Sequence, residues 1–371
     1  MKPIRIAVVG AGHLGRIHTR ILSSHEGFSL VGIADPVEAQ RSAVAAEFKT
    51  TAFAHHAELL SQVDAVVIAA PTVLHRRLAG EFIAACKHVF VEKPITSTSQ
   101  EAAELVQLAR REHVALQVGH VERFNPAFHA ALPHLHEPKY IESVRRGGFT
   151  FRSTDIGVVL DLMIHDLDLV LSIARSPVAR VEAMGVAIFG KHEDVANARI
   201  EFENGCVATL NACRASHSAA RTMQVWTPRG FTSIDFNART ANVVCPSDTL
   251  RNRSIDIERL NVAEKQQLRD CLMTDHLPLK SIEVAAGDAI TAELTDFAES
   301  IRTGRSPRVH GQAGYDAVAV AERVLDSIAQ HAWDGKADGR VGPFFAPGSP
   351  TIPAPHWQLK PARQDELRRA G

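Results

Sequence analysis

Residues 4–15 read IRIAVVGAGHLG, a short apolar run that ends in a glycine-rich loop. Similar runs, rich in valine and isoleucine, recur through the first 120 residues at Leu30–Ala34, Ala65–Ala70, His88–Val91 and Val114–Val118. Segments of helical period, such as Ser99–Glu112, lie between the runs. This alternation predicts a doubly wound parallel β-sheet with helices on both faces. Because the runs are continuous, we expect strands that are buried on both sides.

The loop has the spacing of a dinucleotide-binding fingerprint, Gly10-Ala11-Gly12-His13-Leu14-Gly15. Gly10 permits a tight turn, Gly12 lets the backbone approach a pyrophosphate, and Gly15 allows the next helix to pack closely. The amino end of that helix presents N–H groups to the phosphates. Asp35 ends the next apolar run about 20 residues later, where a carboxylate binds the ribose hydroxyls. Its charge would repel a 2′-phosphate, which favours NAD over NADP, although a turn residue before Pro36 is the alternative.

The pattern changes after Gly119. We predict, in order, a helix, a strand and a second helix over 122–136, 140–149 and 158–174. Alternating segments follow between Val181 and Phe236, with hairpin chemistry at 203–205, and two helices over 289–303 and 314–332 complete this part. The sequence therefore predicts a dinucleotide-binding domain at 1–121, then an α/β domain with a largely antiparallel sheet, covered on one face, at 122–333. An extended tail is predicted at 334–371.

Composition excludes several classes of protein. The 371 residues carry 41 Lys+Arg against 42 Asp+Glu, so the chain lacks the basic excess that a nucleic-acid partner requires. The five cysteines contain no Cys-x-x-Cys pair, which favours free thiols. The histidine clusters at 55–56 and 134–136 have no further partners at ligand spacing, so we predict no metal. Without a signal peptide or a bilayer-spanning apolar stretch, we expect a cytoplasmic protein with no membrane partner.

Three further motifs carry a resemblance to a known family: Pro71-Thr72-x-x-His75, Glu92-Lys93-Pro94 and Asp161-x-x-x-His165. With the glycine loop, they make nearly the whole chain resemble the Gfo/Idh/MocA family of nicotinamide-dependent sugar and cyclitol oxidoreductases. The resemblance implies an N-terminal Rossmann domain at 1–121. It also implies an α/β substrate-binding and oligomerisation domain with a large open, mostly antiparallel sheet at 122–333. It further implies that Pro71, Thr72, His75, Glu92 and Lys93 line the cofactor. A structural role is the alternative for His75, and a pair with Lys93 is the alternative for Glu92. Since an open apolar sheet face needs cover, we expect a homodimer or homotetramer.

Lys93 closes a predicted parallel strand at the edge where such sheets bind ligands, and Pro94 can adopt a cis bond there. His165 follows Asp161 by one helical turn, and an imidazole suits proton transfer near neutral pH. From the residues alone, a solvated lysine and a core histidine are the alternatives. The resemblance implies catalytic roles for Lys93, Asp161 and His165. We assign His165 as the general base and Lys93 to polarising the hydroxyl, and the opposite assignment stays open.

The segment 119–126, GHVERFNP, is more specific. It resembles a subgroup that oxidises the 3-hydroxyl of UDP-N-acetylglucosamine, whose keto product an aminotransferase aminates for lipid A precursor synthesis. The residues expected at this nucleotide-sugar are Lys93, His165, Glu122, Arg123, Phe124, Asn125 and Arg152. An arginine fork suits a diphosphate, but Arg123 could equally form a hinge ion pair. Arg145-Arg146 is expected to be surface charge. The alternative functions are another sugar or inositol dehydrogenase of the family and a non-catalytic NAD-sensing regulator.

Overall fold

The computed structural model describes residues 2–150, 156–333 and 341–343. These residues form two β-sheets with helices packed around them. The predicted architecture, a parallel sheet followed by a large and mostly antiparallel one, is confirmed. The tail predicted to be extended from residue 334 lies outside the described residues, apart from 341–343.

The first sheet consists, in the described chain, of six parallel strands: β1 (Ile4–Val9), β2 (Phe28–Ala34), β3 (Thr51–Phe53), β4 (Ala65–Ile68), β5 (His88–Glu92) and β6 (Leu116–Gly119). Their order is β3-β2-β1-β4-β5-β6. All four residues of β4 are fully buried, as expected for a strand covered on both faces. The strand order reverses between β1 and β4. The crevice beyond the carboxyl ends of these two strands is where an open α/β sheet binds its ligand.

The second sheet has eight strands in the described residues: β7 (Tyr140–Arg146), β8 (Val178–Val186), β9 (Val195–Phe202), β10 (Val207–Cys213), β11 (Ala220–Thr227), β12 (Gly230–Asp235), β13 (Thr240–Val244) and β14 (Leu279–Ile282). Their order is β14-β13-β12-β11-β7-β10-β9-β8. Among the pairs that these described strands form, only β7–β10 is parallel. In β10 the side chains of Ala208, Leu210 and Ala212 are buried and those between them are partly exposed. This alternation is typical of a sheet that packs on helices with one face.

The helices of the described residues are α1 (His13–Leu22), α2 (Glu38–Phe48), α3 (His75–Ala84), α4 (Ser99–Arg111), α5 (Pro126–Ala131), α6 (Ile164–Ala174), α7 (Asp248–Arg251), α8 (Val262–Cys271), α9 (Ala289–Thr303) and α10 (Gly311–Gln330). A π-helical turn, Val159–Met163, leads into α6. Helix α10 joins the cores of both sheets, since Ala317 and Val318 pack with the first and Val324 with the second. The long α10 thereby fixes the two sheets against each other.

Several predicted elements differ from the structure. The single helix predicted over 122–136 is wrong: short 3-10 turns at Val121–Phe124 and Leu132–His134 flank the six-residue α5. Pro126 and Pro133 explain the interruptions, because proline lacks the N–H that a continuous helix needs. The strand predicted over 140–149 ends at Arg146, before two glycines. Strands β13 and β14 and helices α7 and α8 were not predicted.

Candidate active site

The glycine-rich loop lies between β1 and α1, at the carboxyl edge of the first sheet. Gly10 has φ +105°, and a Cβ there would lie 2.4 Å from the Ala69 carbonyl oxygen. A Cβ on Gly15 would lie 1.8 Å from the Gly10 oxygen. A Cβ on Gly12, in contrast, would meet no protein atom within 4 Å. Gly10 and Gly15 are therefore required by the fold, whereas Gly12 leaves open space for a ligand.

The residues around this loop fit a dinucleotide. Helix α1 has no side-chain cap and no acidic residue in its first turn, so its N–H groups are available to phosphates. The Asp35 carboxylate accepts hydrogen bonds from the N–H groups of Ala11 and Val37, both at 2.8 Å, and retains lone pairs for ribose hydroxyls. Asp35, Gly10 and Gly12 line a cavity of about 560 Å³. Exposed His13 and Leu14 follow on the first turn of α1.

The loop after β4 lies beside this cavity. Pro71 lines it, and Thr72 lines a second cavity of about 310 Å³ that shares Pro71 and extends to Lys93. His75 is buried at the start of α3, with Nδ1 2.9 Å from the Pro94 carbonyl and Nε2 2.8 Å from the Ala70 carbonyl. Burial lowers the pKa of His75 in spite of these two carbonyls. The ring thus connects the ends of β4 and β5 and holds both loops at the cavity.

Lys93 follows β5, and the Lys93–Pro94 peptide is cis. Its ammonium group donates to the backbone carbonyl of Asp161 at 2.7 Å and to the Asp161 carboxylate at 3.2 Å. Both side chains are partly buried, with 15% and 23% exposed. Asp161 belongs to the π-helical turn before α6, and such turns are frequent at functional sites. This contact joins the edge of the first sheet to the helix that carries His165.

His165 lies in the first turn of α6, and its Nδ1 is buried without a hydrogen-bond partner among the described residues. Burial, followed by the charges of Lys93 and Arg145, holds the pKa of His165 well below its ordinary value. The imidazole is therefore neutral at physiological pH and able to accept a proton. The sequence prediction places Lys93, Asp161 and His165 together, and the structure does bring these side chains into one region.

Glu92 makes a contact that the sequence did not suggest. Its carboxylate lies 2.6 Å from Nε2 of His18, which is on the inner face of α1, and it accepts the Lys93 N–H at 3.3 Å. Although burial opposes it, the contact with His18 lowers the pKa of Glu92. His18 stands one helical turn after Gly15, and that spacing alone could have placed it on the buried face.

The segment between the sheets, from residue 122 to 125, has protein partners. Glu122 accepts from Arg145 at 2.9 Å and from the Asn125 amide at 3.0 Å. Asn125 also caps α5 through the N–H of Ala127. Phe124 is buried below the Arg308 guanidinium. Contact of Glu122, Phe124 and Asn125 with a substrate stays a prediction. In the structure their contacts are with protein groups and shape this segment between the sheets, residues 122–125, which we call the hinge.

Arg123 forms a two-point ion pair with Asp168 of α6, at 2.7 and 3.1 Å. This ion pair at the hinge is the alternative role that the sequence indicated for Arg123. The Arg123 side chain is 17% exposed. Its hydrogen bonds to Asp168 use Nε and Nη2 and leave Nη1 unused. Its predicted contact with a diphosphate stays a prediction, and Arg152 lies outside the described residues.

The expectation of surface charge at Arg145 is wrong. Arg145 is 3% exposed and bonds the Asp166 carboxylate through Nε at 3.0 Å and Nη2 at 2.9 Å. The third guanidinium nitrogen of Arg145, Nη1, donates to Glu122. Arg145 thereby connects β7, the hinge and α6 in one buried network. Arg146, the next residue, is exposed. Successive residues of a strand face opposite sides, which explains the difference.

Other expectations concern metals, thiols and membranes. No cluster of histidine, cysteine and carboxylate residues suited to a metal occurs in the described residues. The five cysteines are all free. In the described part of the chain, no helix has the length and apolar character to cross a membrane.

Comparison with known proteins agrees with this geometry. Residues 4–120 match the oxidoreductase family with an NAD-binding Rossmann fold, and residues 118–232 match the GFO/IDH/MocA C-terminal domain. UDP-N-acetylglucosamine 3-dehydrogenase of Acidithiobacillus ferrooxidans is 33% identical over 326 residues, covering 88% of this chain and 97% of that enzyme. Inositol 2-dehydrogenase of Rhizobium meliloti is 24% identical over 345 residues, covering 88% and 97%.

Solved structures show the same fold. A structure of the Acidithiobacillus ferrooxidans enzyme matches with a TM-score of 0.78 and 32% identity, covering 88% of this chain and 98% of that chain. Levoglucosan dehydrogenase in complex with NADH matches with a TM-score of 0.74 at 16% identity, covering 88% and 97%, and so shares the fold. The two family matches and the 33% identity over most of both chains lead to one conclusion: the chain belongs to the Gfo/Idh/MocA family, as an NAD-dependent dehydrogenase that acts on a CH–OH group.

Proposed function

We propose that the protein oxidises the 3-hydroxyl of UDP-N-acetylglucosamine to a ketone. The observation that carries the proposal is the Lys93–Asp161 contact at the carboxyl edge of the first sheet, with His165 on the next turn. The similarity to UDP-N-acetylglucosamine 3-dehydrogenase, which extends over 88% of this chain, supports the choice of substrate.

The mechanism follows from the charges of these side chains. Gly12, the α1 amino end and Asp35 would hold the dinucleotide, which when bound accepts hydride from the carbinol carbon. Lys93, fixed by Asp161, donates a hydrogen bond to the hydroxyl oxygen and stabilises its developing negative charge. His165, kept neutral by burial and by neighbouring cations, takes the hydroxyl proton at Nε2.

Binding of the sugar nucleotide would use the same crevice. We propose that the free Nη1 of Arg123, together with Arg152, meets the diphosphate, because an arginine fork matches phosphate oxygens. Asp168 supports this role by fixing the Arg123 guanidinium through two hydrogen bonds.

The test is NADH formation, measured by absorbance, with UDP-N-acetylglucosamine, N-acetylglucosamine and inositol in parallel. A ketone trap or an aminotransferase should be present, because oxidation of an alcohol by NAD is uphill near neutral pH. We expect turnover with UDP-N-acetylglucosamine and none with N-acetylglucosamine or inositol. Lys93→Ala should lower kcat by roughly 100-fold or more, whereas Lys265→Ala, at an exposed position of α8, should not. Turnover of inositol alone would favour another sugar or inositol dehydrogenase of the family. Absence of turnover with all three compounds would favour the non-catalytic regulator, and full activity of Lys93→Ala would remove the role assigned to Lys93.

We further propose that the 3-keto product is consumed by an aminotransferase on the way to a lipid A precursor. A ketone beside the existing 2-amido group is the functional group that transamination requires. We place the reaction in the cytoplasm, which the five free cysteines support. Amination of the trapped product by a sugar aminotransferase in a coupled assay tests this step.

We also propose a homodimer or homotetramer that covers the outer face of the second sheet. Tyr140, Trp226 and Phe231 stack there across three strands, with ring centroids 5.1 and 5.9 Å apart. These rings are only partly buried, and a second copy would remove them from water. A monomer in light scattering would contradict this assembly.

A further inference from the structure

Three buried ring nitrogens lie close together without a hydrogen-bond partner among the described residues: Nδ1 of His165 and both nitrogens of His120. The two rings stand edge to face, with centroids 6.4 Å apart and an interplanar angle of 86°. His120 is 1% exposed and follows β6, at the entrance to the hinge. A buried polar group without a partner is costly, so a position like this usually has a function. An enclosed water that bonds to both rings is the ordinary way to satisfy them.

The charges around the two rings differ. On His165 the largest electrostatic influences come from Lys93, Arg145, His120 and Arg221, all of which oppose a positive charge on the ring. A base in this position cannot easily retain two protons. It must lose the proton on one nitrogen as it gains one on the other.

His120 has more favourable surroundings for a proton. Burial lowers its pKa, but the Asp168 carboxylate raises it and is the largest charge that acts on the ring. Glu92 acts in the same direction, while Arg123 and Lys93 oppose both. The charges on His120 are therefore mixed, two carboxylates against two cations, whereas the largest on His165 are all repulsive, so an added proton is opposed less on His120 than on His165.

We propose that His120 is a second proton acceptor and that His165 is a relay between it and the substrate. As the O–H bond of the sugar breaks, its proton forms an N–H bond at Nε2 of His165. The N–H bond at Nδ1 breaks, and that proton passes to a bridging water. The water gives one of its own protons to a nitrogen of His120, while hydride leaves carbon for the NAD of the proposed reaction. The inference rests on the proposed dehydrogenation, and it states which residue finally receives the proton of the sugar hydroxyl.

The variant that tests this is His120→Phe, which keeps an aromatic ring against His165 but has no nitrogen. We expect kcat to fall about 10- to 100-fold, within the usual contribution of a proton-transfer group. The KM for the sugar and the Kd for NAD should change less than about twofold, since a relay residue contributes to the reaction and not to ligand binding. His129→Phe, at an exposed site on α5, is the matched control and should retain full activity.

A proton inventory in mixtures of H2O and D2O separates the relay from a merely structural role. The wild type should give a curved plot, because more than one proton moves, and His120→Phe a linear one. Should His120→Phe fail to fold, His120→Asn retains a polar group and should show a partial loss. A linear plot for the wild type, or full activity in either folded variant, overturns the relay.

A readout without substrate separates this proposal from the choice of sugar. In ¹⁵N-histidine NMR of the ligand-free protein, His165 should carry its proton on Nδ1, and His120→Phe should change that tautomer. Identical His165 shifts in both proteins would overturn the relay. Absence of turnover with UDP-N-acetylglucosamine, with the tautomer change observed, would overturn the substrate alone.

Discussion

The glycine loop allows one chemical change, glycine to alanine, to be tested at two positions with opposite expected outcomes. Gly12 has φ −72° and ψ −167°, a conformation open to alanine, and its added Cβ would meet no protein atom within 4 Å. We expect Gly12→Ala to leave the ligand-free protein unchanged or more stable by about 0.4–1 kcal/mol, because alanine restricts the unfolded chain. Gly15→Ala would place a Cβ 1.8 Å from the Gly10 oxygen. A clash with backbone should cost about 1–3 kcal/mol or more.

Gly12→Ala should weaken the binding of NAD, although it leaves the stability of the ligand-free protein unchanged or raised. The methyl group would occupy the space through which a pyrophosphate approaches the backbone. Loss of one charge-assisted hydrogen bond is worth about 1.5–3 kcal/mol, which corresponds to a Kd raised roughly 10- to 150-fold. At 100 times the wild-type Kd, NAD stabilises the wild type by about 2.7 kcal/mol. The same concentration should stabilise a 100-fold weaker variant by only about 0.4 kcal/mol.

Thermal unfolding with and without NAD, together with calorimetric titration, measures both quantities on the same samples. Gly12→Ala should unfold like the wild type without ligand and lose most of its NAD-induced shift. Gly15→Ala should unfold at a lower temperature without ligand. If Gly12→Ala binds NAD as tightly as the wild type, the open space at Gly12 is not the phosphate site. If it destabilises the ligand-free protein as Gly15→Ala does, the loop is packed differently.

Three further changes test other parts of the site. Asp35→Asn removes the charge that repels a 2′-phosphate, so the ratio of the Kd values for NADP and NAD should fall roughly 10- to 100-fold, equivalent to about 1.4–2.7 kcal/mol; an unchanged ratio in calorimetry would assign selectivity elsewhere. Arg145→Met leaves two buried carboxylates unpaired and should lower the free energy of unfolding by about 3–5 kcal/mol in urea titrations, whereas the exposed Arg146→Met should stay within about 0.5 kcal/mol. Burial raises the pKa of Glu293 well above its ordinary value, so this carboxyl is protonated in the folded state and loses its proton on unfolding. With respect to this group, the free energy of unfolding is highest at low pH. It declines as the pH rises toward the pKa of Glu293 in the folded state. Glu293→Gln should therefore gain stability relative to the wild type between pH 5 and pH 8, and a constant difference would contradict this.

Local sequence signals predicted the parts of the site that depend on one strand and the loop after it. The glycine spacing, Asp35 and the lysine after β5 all lie at strand ends, and parallel strands bring those ends to one edge. The fold class and the cofactor followed from the same pattern. No long-range contact had to be known for these predictions.

Contacts between residues that are distant in the sequence could not be predicted in this way. His18 and Glu92 are 74 residues apart, and Arg145 bonds carboxylates on two other elements. The partner of a buried charge depends on tertiary packing, which residue type does not reveal. Strand periodicity nevertheless carried a usable signal, because Arg145 shares the inner face of β7 with Ile141 and Ser143. A charged residue in phase with buried ones indicates a buried ion pair, since charges are seldom buried alone.

The arrangement of charges explains how two sheets can share one candidate site. The dinucleotide loop and Lys93 belong to the first sheet, whereas His165 belongs to a helix that packs on the second. Three contacts set their separation: Lys93 with Asp161, Arg123 with Asp168, and Arg145 with both Glu122 and Asp166. Buried ion pairs contribute little net stability compared with apolar packing, but their geometry is specific. We infer that these pairs fix the position of α6, because a shift of the helix by one residue would leave Asp166 and Asp168 without their arginines.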